Sequence, residues 1–277
     1  MSRRNAPAAV RWTAYVGIAV VFAIACAFLS NWQFSRNAER ARQLELVAAN
    51  YDAAPVALDE LLPEGATLDP ADEWRTVRLT GSYLADRQLL ARNRAHGGSA
   101  AFEVLVPFRL DDGRVIVVDR GWVPPGERQQ TPDEVPAPPS GEVTVLARLQ
   151  EGEPLPSSGR GAPEGQVPSI NLPLIASTLG ADGARTETSA YALMVSEDPA
   201  AAESLQSLEA PSDDPGPFLS YAIQWILFAV MGFVFIWYVI RAERRARQED
   251  AQDGPRRRRD RDMQDEDALL DGAPPGR

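Results

Sequence analysis

The chain has 277 residues, of which 44% are hydrophobic and 24% charged, and its formal net charge is −11. Its basic residues are all arginine, and it holds one cysteine, Cys26, and one histidine, His96. A single cysteine excludes an intrachain disulfide and a thiolate metal cluster, and a single histidine excludes a multi-histidine metal site. The acidic balance argues against nucleic-acid binding. We therefore expect no metal site and no nucleic-acid partner.

The first predicted element is an uncharged apolar run over residues 12–29. As a helix it is about 27 Å long, close to the ~30 Å hydrocarbon core of a bilayer. A cleaved secretory signal ending near Ala25 and a lipoprotein signal with an acylated Cys26 fit the same run. Because the run continues past Cys26 to Leu29 and is followed by Trp32, we favour a retained membrane anchor.

A second uncharged run, over residues 218–240, also predicts a transmembrane helix. Arginines precede the first run and follow the second, so the positive-inside rule places both termini in the cytoplasm. Residues 1–11 carry a net charge of +3, residues 241–277 a net charge of 0, and the segment between them −14. Since the use of arginine for lysine is typical of a GC-rich bacterial genome, we expect a bacterial cell-membrane protein with two spans.

The segment between the two runs predicts a helical extension followed by strands. Residues 31–50 lack Pro and Gly and consist largely of good helix formers, which continue the first helix. A short helical turn is expected near residues 58–62. Apolar residues then alternate with a period of two, and Gly113 follows two aspartates in a predicted hairpin turn. Six strands are expected, over residues 74–83, 88–94, 102–110, 114–123, 142–150 and 191–196.

The predicted fold class is α+β, with two transmembrane helices flanking an extracytoplasmic antiparallel β-rich domain that is barrel-like. The last part of the chain has few apolar residues, which predicts disorder. The expected domains are a cytoplasmic N-terminus (1–11), transmembrane helix 1 (12–30), the extracytoplasmic domain (31–216), transmembrane helix 2 (217–240) and a disordered cytoplasmic tail (241–277).

No nucleophile-elbow, zinc-protease or P-loop motif occurs in the sequence, so no catalytic residue is assigned. His96 lies in a glycine-rich segment, where it is a general base, an axial haem ligand or, the interpretation we favour, an exposed turn histidine. Arg120 ends a strongly apolar strand and needs a partner, because an unpaired buried charge is costly. A structural ion pair is favoured for Arg120 over ligand contact.

Polar and aromatic residues also gather where each predicted helix leaves the membrane. Trp32 and Arg36 are one helical turn apart and can face one neighbour or the lipid interface, with snorkelling of the arginine as the plain alternative. Gln224 lies in or near hydrocarbon, which favours an interhelical hydrogen bond. The predicted docking surface consists of Trp32, Gln33, Arg36, Tyr221, Gln224 and Trp225.

Four motifs occur in a characteristic order across residues 10–245. They are LSNWQFSR (29–36), VRLTGSY (77–83), residues 104–124 with the turn at Gly113 followed by VVDRGWVP, and LSYAIQWILFA (219–229). In order, spacing and two-helix layout the chain resembles the surfeit locus protein 1 family of cytochrome c oxidase assembly factors. The resemblance implies a non-enzymatic factor that assists maturation of the oxidase catalytic subunit at haem insertion. Its implied partners are oxidase subunits, the catalytic subunit foremost, and the lipid bilayer.

The resemblance also bears on cofactors and site residues. Some family members have been proposed to bind or hand over haem A, so it implies haem A as a transient ligand. A histidine suggested as a haem ligand commonly precedes the L-x-Y-A element in the family, and that position is Phe218 here. His96 lies too far along the chain to replace it simply. The implied assembly positions are Trp32, Gln33, Arg36, Arg120, Gly121, Trp122, Tyr221, Gln224 and Trp225.

Two other functions remain as alternatives. A two-helix membrane sensor with an extracytoplasmic ligand-binding domain fits a folded domain between paired spans. It predicts a cytoplasmic output module, which the arginine-rich tail does not offer. A membrane-anchored hydrolase is the third alternative, and it is disfavoured because the sequence contains no catalytic constellation.

Overall fold

The computed structural model describes residues 7–96, 98–129, 131–159, 161–252 and 263, and it divides into two compact units. One unit is drawn from Met1–Arg40 and Pro215–Arg277, and the other is Ala41–Asp214. In chain order the helices and strands are α1 (Ala8–Asn50), β1 (Val56–Ala57), α2 (Leu58–Leu61), β2 (Thr76–Tyr83), β3 (Leu89–His96), β4 (Ser99–Leu110), β5 (Val115–Val123), β6 (Val143–Glu151), β7 (Gln166–Val167), α3 (Leu172–Thr178), β8 (Ala190–Asp198) and α4 (Phe218–Gln252).

The two long helices, α1 and α4, are long and apolar enough to cross a membrane. The predicted continuation of α1 over residues 31–50 is confirmed. The predicted disorder from residue 241 is wrong as far as Gln252, because α4 continues to that residue. Residues 241–252 are mainly Ala, Glu, Arg and Gln, which favour a helix even without an apolar face. The rest of the predicted disordered tail lies outside the described residues, apart from Met263.

Small residues bring α1 and α4 close together. Cys26 and Ser30 on α1 are buried, as is Ala222 on α4. The Ser30 hydroxyl donates to the Ala222 carbonyl oxygen at 2.9 Å. A Cβ on Gly232 would lie 3.0 Å from the ring of Phe22, so a larger side chain would push the helices apart. Small residues and a side-chain hydrogen bond are the usual means of packing apolar helices.

The sheet contains all six predicted strands and two short strands that were not predicted. Its order is β1-β2-β6-β8-β5-β4-β3-β7, and β2 also pairs with β4. The expected all-antiparallel arrangement is wrong at three pairings, since β1–β2, β3–β7 and β5–β8 are parallel. β8 follows β5 only after β6, β7 and α3, so their pairing is set by this long connection and not by a hairpin.

β5 lies at the centre of the domain and is buried on both faces. Val115, Ile116, Val117 and Val118 have no exposed surface, as the uniformly apolar sequence predicted. Side chains alternate along a strand, so Ile116 and Val118 join one hydrophobic cluster and Val115 and Val117 join another, which includes residues of α3. The next residue, Asp119, therefore lies on the same face as Val115 and Val117, and Arg120 lies on the same face as Ile116 and Val118.

Candidate functional site

Two charged side chains, Asp119 and Arg120, follow the apolar residues 115–118 in β5. Asp119 has no exposed surface and Arg120 is 2% exposed. Because adjacent strand residues point to opposite faces, the two charges cannot neutralise each other across the strand. Each must therefore find partners on its own side, since an isolated buried charge is very costly.

Arg120 forms a bidentate ion pair with Glu197 of β8. Its Nη2 lies 2.8 Å from Glu197 Oε1 and its Nε 3.3 Å from Oε2, while Nη1 donates to the Pro136 carbonyl oxygen at 3.2 Å. The Tyr83 hydroxyl donates to Glu197 Oε2 at 2.9 Å. Burial, with the neighbouring Glu197 carboxylate, raises the pKa of Tyr83, so the phenol stays a donor. The structural ion pair predicted for Arg120 is confirmed.

Asp119 lies on the other face in a cluster with an excess of carboxyl groups. Arg94 Nε is 2.5 Å from Glu103 Oε2, and Arg94 Nη1 is 2.8 Å from Glu153 Oε1. Asp119 Oδ1 accepts from the Gly121 amide at 3.1 Å, whereas Oδ2 has no hydrogen-bond partner among the described residues. Burial, and then the charge of Glu103, raise the pKa of Asp119. Arg94 thus pairs with two of the three carboxyl groups, and Asp119 has no ion-pair partner among the described residues.

His96 belongs to this cluster, so its prediction as an exposed turn residue is wrong. It ends β3 and pairs with Ser99 in the ladder to β4, two residues beyond the predicted end of the strand. Its Nε2 lies 2.9 Å from Glu103 Oε1, and its side chain is only 12% exposed. The ring stacks on Trp122 with centroids 5.1 Å apart and planes 7° apart. Partners from β4 and β5 thus hold the imidazole within the sheet.

Gly121 and Trp122 attach a later segment of the chain to β5. The Trp122 amide donates to the Gln206 carbonyl oxygen at 2.9 Å, the Gln206 amide donates back at 3.1 Å, and the indole N–H donates to the Ser207 carbonyl oxygen at 3.1 Å. Gly121 has φ 129°, and a Cβ there would lie 2.4 Å from the Gln206 carbonyl oxygen. Glycine is therefore required for this close approach.

On α1, two of the three predicted docking residues are exposed. Trp32 is 50% exposed, and Arg36 reaches Glu39 at 3.1 Å on the same helix. Gln33 is half-buried, and its Oε1 has no hydrogen-bond partner within the described part of the chain. That oxygen is itself buried, so it offers no acceptor at the surface.

On α4, Tyr221 and Gln224 are exposed, and Trp225 packs edge-on against Phe228 with ring centroids 5.7 Å apart. Among the described residues Gln224 makes no hydrogen bond to α1, and the interhelical hydrogen bond there runs from Ser30 to Ala222. Gln224 is two residues beyond Ala222 and so is rotated by about 200° around the helix. The Ser30–Ala222 contact brings the predicted docking residues of α1 and α4 to the same end of the helix pair.

The buried partners of β5 were missed from sequence. Glu103 carried the one visible signal, because it is a charged residue inside the apolar strand β4. Glu197 and Glu153 lie at or beyond strand ends, where acids are ordinarily exposed. Within the described ranges, no group of three or more His, Cys, Asp or Glu residues is arranged to hold a metal ion. The arrangement supports internal pairing and surface contacts.

Comparison with known proteins identifies a family and several similar proteins. The SURF1 family profile matches residues 20–230. A SURF1-like protein of Mycobacterium tuberculosis is 37% identical over 248 residues, which cover 88% of this chain and 89% of the relative. A SURF1-like protein of Monosiga brevicollis is 31% identical over 137 residues, covering 44% and 48% of the two chains.

A yeast protein carries a functional name. The cytochrome oxidase assembly protein SHY1 of Saccharomyces cerevisiae is 26% identical over 121 residues, which cover 43% of this chain and 30% of the yeast protein. The profile match spans most of the chain and includes all four motifs that resemble the surfeit locus protein 1 family. The chain therefore belongs to the SURF1 family.

Proposed function

We propose that the chain is a non-enzymatic assembly factor for the haem-A-containing cytochrome c oxidase. The observation that carries the proposal is membership of a family in which the yeast relative is a cytochrome oxidase assembly protein. The structure supports a scaffold, because the buried charge of Arg120 on β5 is paired internally with Glu197. The exposed side chains on the helix pair supply a surface for a partner.

The proposed setting is a bacterial cell membrane that the chain spans twice, with both termini in the cytoplasm. Two long apolar helices support the spans, and the arginines before α1 and after residue 240 support the orientation. The β-rich unit is then extracytoplasmic. Its predicted barrel-like closure is supported by the pairings β2–β6, β6–β8, β8–β5, β5–β4 and β4–β2, which return to their starting strand.

The proposed partner is the oxidase catalytic subunit during its maturation. Exposed Trp32 and Tyr221 can pack against a transmembrane helix, and exposed Gln224 can form an interhelical hydrogen bond with it. The residues present do not fit axial haem ligation by histidine. Phe218 occupies the family position, and His96 is held by Glu103 and Trp122. The proposed role is therefore protein contact at the stage of haem insertion.

Deletion of the gene from its host tests the proposal. Haem A content and oxidase activity of isolated membranes are measured in the deletion strain, the parent and a strain complemented with the full chain. Both quantities should fall on deletion and return on complementation. Normal values of both in the deletion strain would overturn the proposal. Measuring another respiratory complex in the same membranes separates a specific effect from a general loss of membrane proteins.

A further inference from the structure

We propose that the arginine-rich end of α4 binds the phosphate of an anionic phospholipid headgroup. The proposal rests on the membrane insertion of α4 that is part of the proposed function. An open cavity of about 470 Å³ lies there on the surface of α4, lined by Trp237, Ile240, Arg241, Arg244, Arg245 and Gln248. Three of the six lining residues carry a positive charge, and none carries a negative charge.

Helical spacing gathers these arginines on one side of α4. Arg241 is four residues beyond Trp237, and Arg245 is four residues beyond Arg241, so successive turns place them above one another. The Arg241 guanidinium lies 5.4 Å from the centroid of the Trp237 ring, and that of Arg244 lies 4.7 Å from the centroid of Trp12. These cation–π contacts hold two of the guanidinium groups in place.

The charge around the arginines of the cavity is predominantly positive among the described residues. Within the part of the chain that the structure describes, no carboxylate forms an ion pair with Arg241, Arg244 or Arg245. Glu243, which lies between them in sequence, is turned toward α1. Its Oε2 accepts from Arg11 Nη2 at 3.2 Å and from Trp12 Nε1 at 2.8 Å. The cavity is therefore complementary to an anion.

The position of the cavity selects an amphiphilic anion. It begins at Trp237, near the end of the uncharged run, and exposed Val234 and Phe235 precede it along α4. A ligand can place a phosphate among the arginines and its acyl chains along this apolar surface. Guanidinium groups bind phosphate through paired hydrogen bonds, and tryptophan is favoured at the headgroup level. A soluble phosphate would use only the polar half of the site, so we commit to the lipid.

The test uses the full chain purified in a neutral detergent and examined by native mass spectrometry. The probes are phosphatidylglycerol, phosphatidylcholine and glycerol phosphate at equal concentrations. Phosphatidylglycerol should be retained preferentially. The double variant Arg241→Gln/Arg245→Gln should lower its retention by about tenfold, because two charge-assisted contacts are lost. The control Arg42→Gln/Arg247→Gln removes the same charge outside the cavity and should retain the lipid. Circular dichroism checks that each variant keeps its helices.

Three outcomes overturn the inference. Equal retention of the two phospholipids shows that the headgroup charge is not recognised. Equal binding of glycerol phosphate shows that the site takes soluble phosphate. An equal loss in the control variant shows that total charge and not the cavity sets binding. Alkaline carbonate extraction of host membranes tests insertion separately. If the chain stays in the membrane while lipid selection fails, only this inference fails.

Discussion

At the scale of single residues, the buried Arg120–Glu197 pair should be essential for stability. Arg120→Ala leaves the Glu197 carboxylate, whose side chain is 7% exposed, without its cation. Breaking a buried pair from one side costs about 3–5 kcal/mol, because an uncompensated charge remains. We therefore expect a large fall in the unfolding temperature and in cellular abundance.

The double variant Arg120→Met/Glu197→Met is the matched control. It removes both charges and replaces them with flexible apolar side chains, so it should recover much of the lost unfolding temperature. If Arg120→Ala unfolded at the parent temperature, a stabilising role would be excluded. A normal abundance with impaired oxidase assembly would instead indicate that Arg120 acts toward a partner.

Asp119 should make the domain less stable as the pH rises. Its pKa in the folded chain is raised by burial and by Glu103, whereas an aspartate in the unfolded chain has a pKa of about 3.9. Above that value the unfolded chain gives up its proton more readily than the folded chain, so stability falls with increasing pH. Asp119→Asn removes this dependence. We expect the variant to unfold at a higher temperature than the parent at pH 8 and at a similar temperature at pH 4.

Asp112 is a control for Asp119, because its pKa is shifted in the opposite direction. Desolvation tends to raise its pKa, but hydrogen bonds from Arg114 prevail and lower it. Ionised Asp112 therefore stabilises the fold above about pH 4, and that contribution is lost as the pH falls through its folded pKa. Asp112→Asn should lower the unfolding temperature at pH 8. If both variants shifted stability in the same direction at pH 8, the assignment for Asp119 would be wrong.

At the scale of secondary-structure elements, Gly121 controls how β5 holds residues 205–207. Gly121→Ala introduces a Cβ 2.4 Å from the Gln206 carbonyl oxygen at a φ of 129°. Such backbone strain costs about 1–3 kcal/mol, and here separation of the two segments relieves it. We expect faster proteolysis between residues 199 and 214. Gly141→Ala, where a Cβ meets no atom within 4 Å and φ is also positive, is the control. Unchanged proteolysis in Gly121→Ala would contradict the prediction.

The sequence predicted best those elements whose apolar residues repeat with the period of the element itself. The period-two pattern placed β2 to β6 and β8, because each has a buried face. The two-residue strands β1 and β7 are too short to show a period. The parallel pairing of β5 with β8 depends on the path of the chain between them, which no local pattern records. The end of α4 was missed because helix formers and disordered segments share a charged composition.

Within the candidate site, the sequence indicated which buried charges need a partner, but it did not indicate which residues supply that partner. Arg120 required a counter-charge because its strand is buried, yet Glu197 lies 77 residues away in the chain. His96 was taken for a turn residue because glycines follow it, while the ladder between β3 and β4 extends through it. Long-range pairing of this kind is decided by the packed sheet.

At the scale of the whole molecule, the protein combines a sheet with a buried apolar core and a helix pair that keeps apolar surface exposed. Exposed Trp32, Phe28 and Tyr221 contrast with the fully buried core of β5. Part of that surface is accounted for by lipid in the proposed setting. Near the Ser30–Ala222 contact, however, the exposed side chains include polar and amphipathic groups, which distinguishes this end from the purely apolar turns.

The docking surface can be tested by removing its aromatic side chains. Trp32→Ala/Tyr221→Ala changes two exposed residues, so the abundance and unfolding temperature of the chain should remain close to the parent values. Buried aromatic anchors at an interface each contribute about 2 kcal/mol or more, so oxidase activity in complemented membranes should fall severalfold. Val21→Ala/Leu227→Ala removes exposed apolar side chains farther along the same helices and should leave oxidase activity unchanged. Equal activity in the two double variants would place the partner contact outside this surface.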